Sequence, residues 1–210
     1  MKKNQYDMSK VWTRKNDELS ARYFFRYISY PFSSVLVKYT NVHPNTITLI
    51  GFFFGILSIL FFLKGTMANL LPATLFAFLF SVCDNIDGDI ARVKGLESKL
   101  GAWLDGVSGA IILPFITFSI GYGLGTKLGL VLGSLAMVSF PLQRAMVYAF
   151  KFKFSNDEQE ALMFTKNSFF GKVTHLFRTS YGAALFFLLL TIFMIFKKPH
   201  EFLLYQAVVG

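Results

Sequence analysis

The chain has 210 residues, of which 54% are hydrophobic, 18% aromatic and only 16% charged, with a mean hydropathy of +0.50. Long apolar runs with so little charge exclude an ordinary soluble domain and point to one polytopic membrane unit. The net charge of +9 comes with no nucleic-acid motif, so no nucleic-acid partner is expected; basic residues on the cytoplasmic face, attracting anionic membrane lipids, explain it better.

Residues 1–20 are polar and read as a cytoplasmic tail, without the apolar core of a cleavable signal peptide. Residues 21–42 read as an interfacial amphipathic helix region. Tyr23, Phe24, Tyr27 and Ile28 have helical spacing, and Pro31 is placed to start a second short helix. Residues 43–210 form the transmembrane domain. A first span is expected from Asn45 to Leu63. A second runs from Met67 to about Val82 and continues as helix into an acidic stretch, up to a turn at Gly95. The third starts near Gly101 and ends at Gly121–Gly125. The fourth covers Leu128–Phe150 and is followed by a polar loop. The fifth covers Thr179–Phe196. The closing segment EFLLYQAVVG is short of the roughly 20 residues of a full span. The expected fold is therefore an all-α integral membrane protein of about six transmembrane helices, the last short or truncated, plus the N-terminal interfacial helix.

Charge sets the orientation. With the N-terminus inside, seventeen Lys and Arg residues fall on the inner side and only Lys64, Lys127, Lys197 and Lys198 outside. A multi-pass protein with a cytoplasmic N-terminus follows, in the cell membrane if the source is prokaryotic. Cys83 is the single cysteine, so no internal disulfide forms, and a small apolar filler is its expected role. His43, His175 and His200 have no zinc-type spacing.

The stretch DNIDGDIARVKGLESKLGAWLDGVSG, residues 84–109, carries the chemistry. On a helix, Asp84, Asp87 and Ala91 lie at i, i+3 and i+7, with Arg92 beside that stripe. On the next helix Gly101, Asp105 and Gly109 share a face. A short turn makes the two helices antiparallel neighbours, so the three carboxylates can converge at the cytoplasmic membrane boundary. Carboxylates there need pairing, hydration or a cation. Oxygen-only ligation points to Mg²⁺ or Mn²⁺, and Arg92 is suited to bidentate phosphate binding. A structural alternative stands beside this: Asp84 and Asp87 solvated at a helix end and paired with Arg92 and Lys94, with Gly101 and Gly109 as helix-packing residues. Asp89 and Glu97 lie off the stripe and are expected to be solvated.

These residues resemble the CDP-alcohol phosphotransferase family, also described as CDP-alcohol phosphatidyltransferases, whose pattern is D-x2-D-G-x2-A-R-x8-G-x3-D-x3-D. Asp84, Asp87, Gly88, Ala91, Arg92, Gly101 and Asp105 match seven of its eight elements at full spacing. Pro44-Asn45-Thr46-Ile47-Thr48 is similar to the opening of the family's first span, and Ser98 also matches a common feature. The resemblance implies transfer of a phosphatidyl or other phospho-alcohol group from a CDP-linked donor, such as CDP-diacylglycerol, to an alcohol or polyol-phosphate acceptor, with release of CMP, in phospholipid or related phosphodiester synthesis. It implies Mg²⁺ or Mn²⁺ held by Asp84, Asp87 and Asp105. It further implies nucleotide contacts from Asn45, Thr48, Gly88, Ala91, Arg92, Ser98 and Gly101, and a homodimer. Arg144 and Arg178 are the candidate acceptor-binding residues, with snorkelling to anionic headgroups as the alternative.

The eighth element is absent. Gly109 stands where the family has a fourth aspartate, a metal ligand and proposed general base. Three readings are open: an active enzyme with a displaced base, a natural relative that binds metal and CDP-donor without turnover, or an engineered substitution that slows turnover. Ser108 is the nearest polar residue, but it points about 100° round the helix and is a poor base at neutral pH.

Overall fold

The computed structural model describes residues 7–9, 24–154 and 183–209. The long elements within them are all helices: α1 (Arg26–Tyr39), α2 (Pro44–Leu63), α3 (Met67–Lys94), α4 (Lys99–Gly123), α5 (Lys127–Phe154), α6 (Ala183–Ile195) and α7 (Pro199–Val209). The all-α expectation holds. Among the described residues, α2, α3 and α4, of 20, 28 and 25 residues, are long and apolar enough to cross a membrane. Lys127–Leu142 of α5 and Leu185–Ile195 of α6 are shorter apolar stretches. Apart from residues 7–9, the 1–20 tail lies outside the described residues, as do most of the polar loop after α5 and the first residues of the expected fifth span.

The helix ends have local causes. Pro44 opens α2 at a position that needs no N–H donor, and His43 Nδ1 accepts the Asn45 N–H at 3.3 Å. At the end of α3, Gly95 takes φ +66°, and the Leu96 N–H returns to the Ala91 carbonyl at 2.8 Å. Ser98 then starts α4, its Oγ accepting the Gly101 N–H at 3.0 Å. A 28-residue helix is about 42 Å long, about 12 Å more than the hydrocarbon core of a bilayer. The charged residues of α3 fall in its last three turns, so the excess length is placed at that end.

Helix α2 packs against α3 and α4, α4 against α5, and α6 and α7 close the bundle against α3 and α5. The approach is closest at small residues. A Cβ on Gly51 would lie 2.9 Å from Cys83 Cβ, and one on Gly133 of α5 would lie 2.9 Å from the Gly121 Cα of α4. Cys83 packs against the apolar core, in line with its expected role as a filler.

Helix α1 crosses α3 and corrects one expectation: Pro31 lies inside a single 14-residue helix and does not begin a second one. Ser29 and Ser33, on either side of Pro31, both donate to the Asp89 carboxylate of α3, which ties both halves of the helix to one residue. The polarity of α1 runs from inside to out. Arg26, Ser29 and Ser33 are buried, while Tyr27, Phe32, Val35 and Tyr39 are exposed.

Candidate active site

Three helix ends meet at one cleft of about 270 Å³. The N-terminus of α2 contributes Pro44, Asn45 and Thr48. The last turns of α3 contribute Asp87, Gly88, Ala91 and Arg92. The turn and the start of α4 contribute Ser98, Gly101 and Asp105. Both halves of the acidic stretch, together with the first-span residues, thus line the same space. Of the residues expected at the metal and nucleotide site, Asp84 alone is missing from this lining.

Local packing explains the shape. The Thr48 hydroxyl donates to Asp87 Oδ2 at 2.5 Å and ties α2 to α3. Both residues are buried. A Cβ on Gly101 would lie 3.1 Å from both Asn45 Oδ1 and Ser98 Oγ, so its lack of a side chain lets α2 and α4 approach. The Arg92 guanidinium lies over Gly88, where an added Cβ would sit 3.2 Å from Nη1. Lys94 Nζ donates to the Thr40 carbonyl at 2.8 Å and to that of Val42 at 3.4 Å, which fixes the chain entering α2.

The electrostatics are two-sided. Two helix N-termini and Arg92 favour an anion, while Asp87 and Asp105 favour a cation. No group of three His, Cys, Asp or Glu side chains close enough to hold a metal occurs among the described residues. Asp84 lies three residues before Asp87, about 4.5 Å further along α3 and towards its apolar part. The two cleft carboxylates still suit Mg²⁺, which is bound through one or two carboxylates plus substrate phosphates.

Asp89 overturns its expected solvated state. It is 1% exposed. Its Oδ1 pairs with Arg92 Nη2 at 2.6 Å and faces Arg26 Nη1 at 3.5 Å. Its Oδ2 accepts from Ser33 Oγ at 3.0 Å and from Ser29 Oγ at 3.4 Å. Helical spacing places Asp89 away from the metal stripe but does not show that another helix covers that side. One signal was available: Arg26, Ser29 and Ser33 lie at i, i+3 and i+7, a polar face on an otherwise aromatic segment. Glu97 is exposed, as expected. Ser108 is buried and donates to the Asp105 carbonyl at 2.8 Å. Gly109 has open space around it: an added Cβ would meet nothing closer than Leu113 Cδ1 at 4.0 Å. The Arg144 side chain and the whole of Arg178 lie outside the described residues.

The CDP-alcohol phosphatidyltransferase family profile matches residues 41–209, and the chain belongs to that family. It is 36% identical over 113 residues to an uncharacterized protein of Aquifex aeolicus, covering 52% of this chain and 55% of that one. It is 36% identical over 91 residues to a bifunctional IPC transferase and DIPP synthase of Thermococcus kodakarensis, covering 43% and 20%. Over 87 residues it is 34% identical to a phosphatidylinositol phosphate synthase of Streptomyces avermitilis, covering 40% and 34%. The matched segments thus span about half or less of these relatives' lengths.

Proposed function

We propose that this chain transfers a phosphate-bearing group from a CDP-linked donor to an alcohol, releasing CMP, at the cleft between α2, α3 and α4. The observation that carries this reading is the joining, in one cleft, of an anion site and a carboxylate pair. A donor pyrophosphate with its divalent cation has that combination of charges. In this reading the nucleotide side is formed by Asn45, Thr48, Gly88, Ala91, Ser98 and Gly101, with Arg92 on the phosphate. Asp87 and Asp105 hold Mg²⁺ or Mn²⁺, with Asp84 joining from the preceding turn. The cation supplies charge neutralisation at the pyrophosphate. The chain's own residues orient the donor: Thr48 fixes the Asp87 carboxylate, and the α2 and α4 N-termini face the phosphates.

The name of one relative, a phosphatidylinositol phosphate synthase, favours an inositol-phosphate type of acceptor. Such an acceptor is anionic, and Arg144 and Arg178 are the cations proposed to meet it. The aromatic outer face of α1 is proposed to rest in the interfacial layer of the cytoplasmic leaflet, where Tyr side chains are favoured. That orientation puts the cleft on the side where nucleotide is available.

Gly109 is proposed to occupy the position of a lost base. General-base help is worth about 10²–10⁴ in rate. The test is CMP release across a matrix of CDP-linked donors and alcohols with Mg²⁺ or Mn²⁺, for the chain and its Gly109→Asp variant. Release above background, raised by at least tenfold in the variant, is expected. Background release in both with every donor would overturn the transferase reading.

A further inference from the structure

The family profile begins at residue 41 and so leaves out α1, Arg26–Tyr39. Yet α1 reaches the cleft through one side chain. The Asp89 carboxylate divides itself between the Arg92 guanidinium, which lines the cleft, and three groups of α1: Arg26, Ser29 and Ser33. All three α1 groups and Asp89 are buried, at 3% exposure or less. An Asp–Arg pair three residues apart on an exposed helix face is weak and interchanges freely with water. Here water is excluded, and the carboxylate has a fixed orientation because both of its oxygens are engaged.

Asp89 is the hydrogen-bonded anchor of Arg92 among the described residues. The Arg92 Nη2 is bonded to Asp89, and its Nε is buried without a hydrogen-bond partner among the described residues. Gly88 offers no side chain against which the guanidinium could rest. The direction of the guanidinium therefore depends on Asp89, and that of Asp89 on α1.

We infer that Asp89 is a positioning residue, and that α1, outside the family region, is its support: together they pre-set Arg92 to receive a phosphate group in the cleft. This rests on the reading of the cleft as a CDP-donor site. A guanidinium fixed before the ligand arrives loses less freedom on binding than a mobile one. Asp89 itself touches no ligand; it acts through Arg92.

The test is binding of CDP in the presence of Mn²⁺ to the full chain in detergent, which needs no turnover. Asp89→Asn is expected to weaken CDP by about tenfold or more, since a charged hydrogen-bond partner of Arg92 is lost. Asp89→Glu is expected to recover part of that loss. Because Asp89→Asn also leaves Arg26 without this buried partner, the variant can fail to fold. The Ser29→Ala/Ser33→Ala double variant keeps every charge and is expected to weaken CDP by at least threefold. In an Arg92→Ala background the same double variant is expected to change CDP affinity by less than twofold, because the effect travels through Arg92. A merely structural role gives the same loss with and without Arg92, and overturns the inference. Double-variant affinity within twofold of the parent also overturns it, and leaves the cleft reading intact. Absence of CDP binding by the parent chain overturns both.

Discussion

Gly88 shows how much of the cleft depends on an atom that is not there. A Cβ at this position would sit 3.2 Å from Arg92 Nη1, so the guanidinium would have to yield by a few tenths of an ångström. Alanine is also favoured over glycine inside a helix by roughly 0.5–1 kcal/mol. Gly88→Ala should therefore move two readouts in opposite directions. Thermal stability is expected to hold or rise, while CDP affinity falls several-fold, both measured on one preparation. Thr48 gives the complementary case. Its hydroxyl is the buried donor to Asp87 Oδ2. Thr48→Val removes the buried hydroxyl donor from that carboxylate, at a cost of about 1–3 kcal/mol. A lower melting temperature and weaker Mn²⁺-dependent CDP binding are expected together. Stability unchanged from the parent would show that the Thr48–Asp87 bond carries little.

Among the helices, the α4–α5 contact is set by glycine and not by large side chains. A Cβ at Gly133 would meet the Gly121 Cα at 2.9 Å and the Thr117 carbonyl oxygen at 3.1 Å, and backbone cannot yield. Gly133→Ala should cost about 1–3 kcal/mol through overpacking. Gly106, also helical, has nothing within 4 Å of its added Cβ. Gly106→Ala should instead stabilise by roughly 0.5–1 kcal/mol. Denaturation of the two variants in the same detergent separates these signs. The long elements were legible from sequence because apolar runs bounded by Lys64-Gly65 and Gly95 leave few alternatives. The start of α2 was expected within one residue, at Asn45 against Pro44. Pro31 was misread because a local rule about helix starts took no account of α3, whose Asp89 binds Ser29 and Ser33 on both sides of the proline. The cleft was legible in Asp87, Gly88, Arg92, Gly101 and Asp105, since their spacing on two antiparallel helices forces them to one end. Asp89 was not, because its environment is decided by a helix more than fifty residues away in sequence.

For the molecule as a whole, the acidic residues of α3 fall in its last turns, and the N-termini of α2 and α4 lie beside them. One end of the bundle thereby gathers Asp87, Arg92 and Asp105 with the polar starts of α2 and α4, while the sides of these helices expose apolar residues such as Leu49, Phe53, Leu71 and Phe115. That division suits the proposed transfer from a CDP-linked donor. The central claim is that α2, α3 and α4 build one site for a CDP group and a divalent cation. The most direct measurement is CDP affinity with Mn²⁺ and with EDTA, for the chain and for its Asp87→Asn and Asp105→Asn variants. The account expects binding that EDTA abolishes and that each substitution weakens by at least tenfold while the proteins remain folded. Equal CDP affinity in the parent and both variants, with or without the cation, would contradict it.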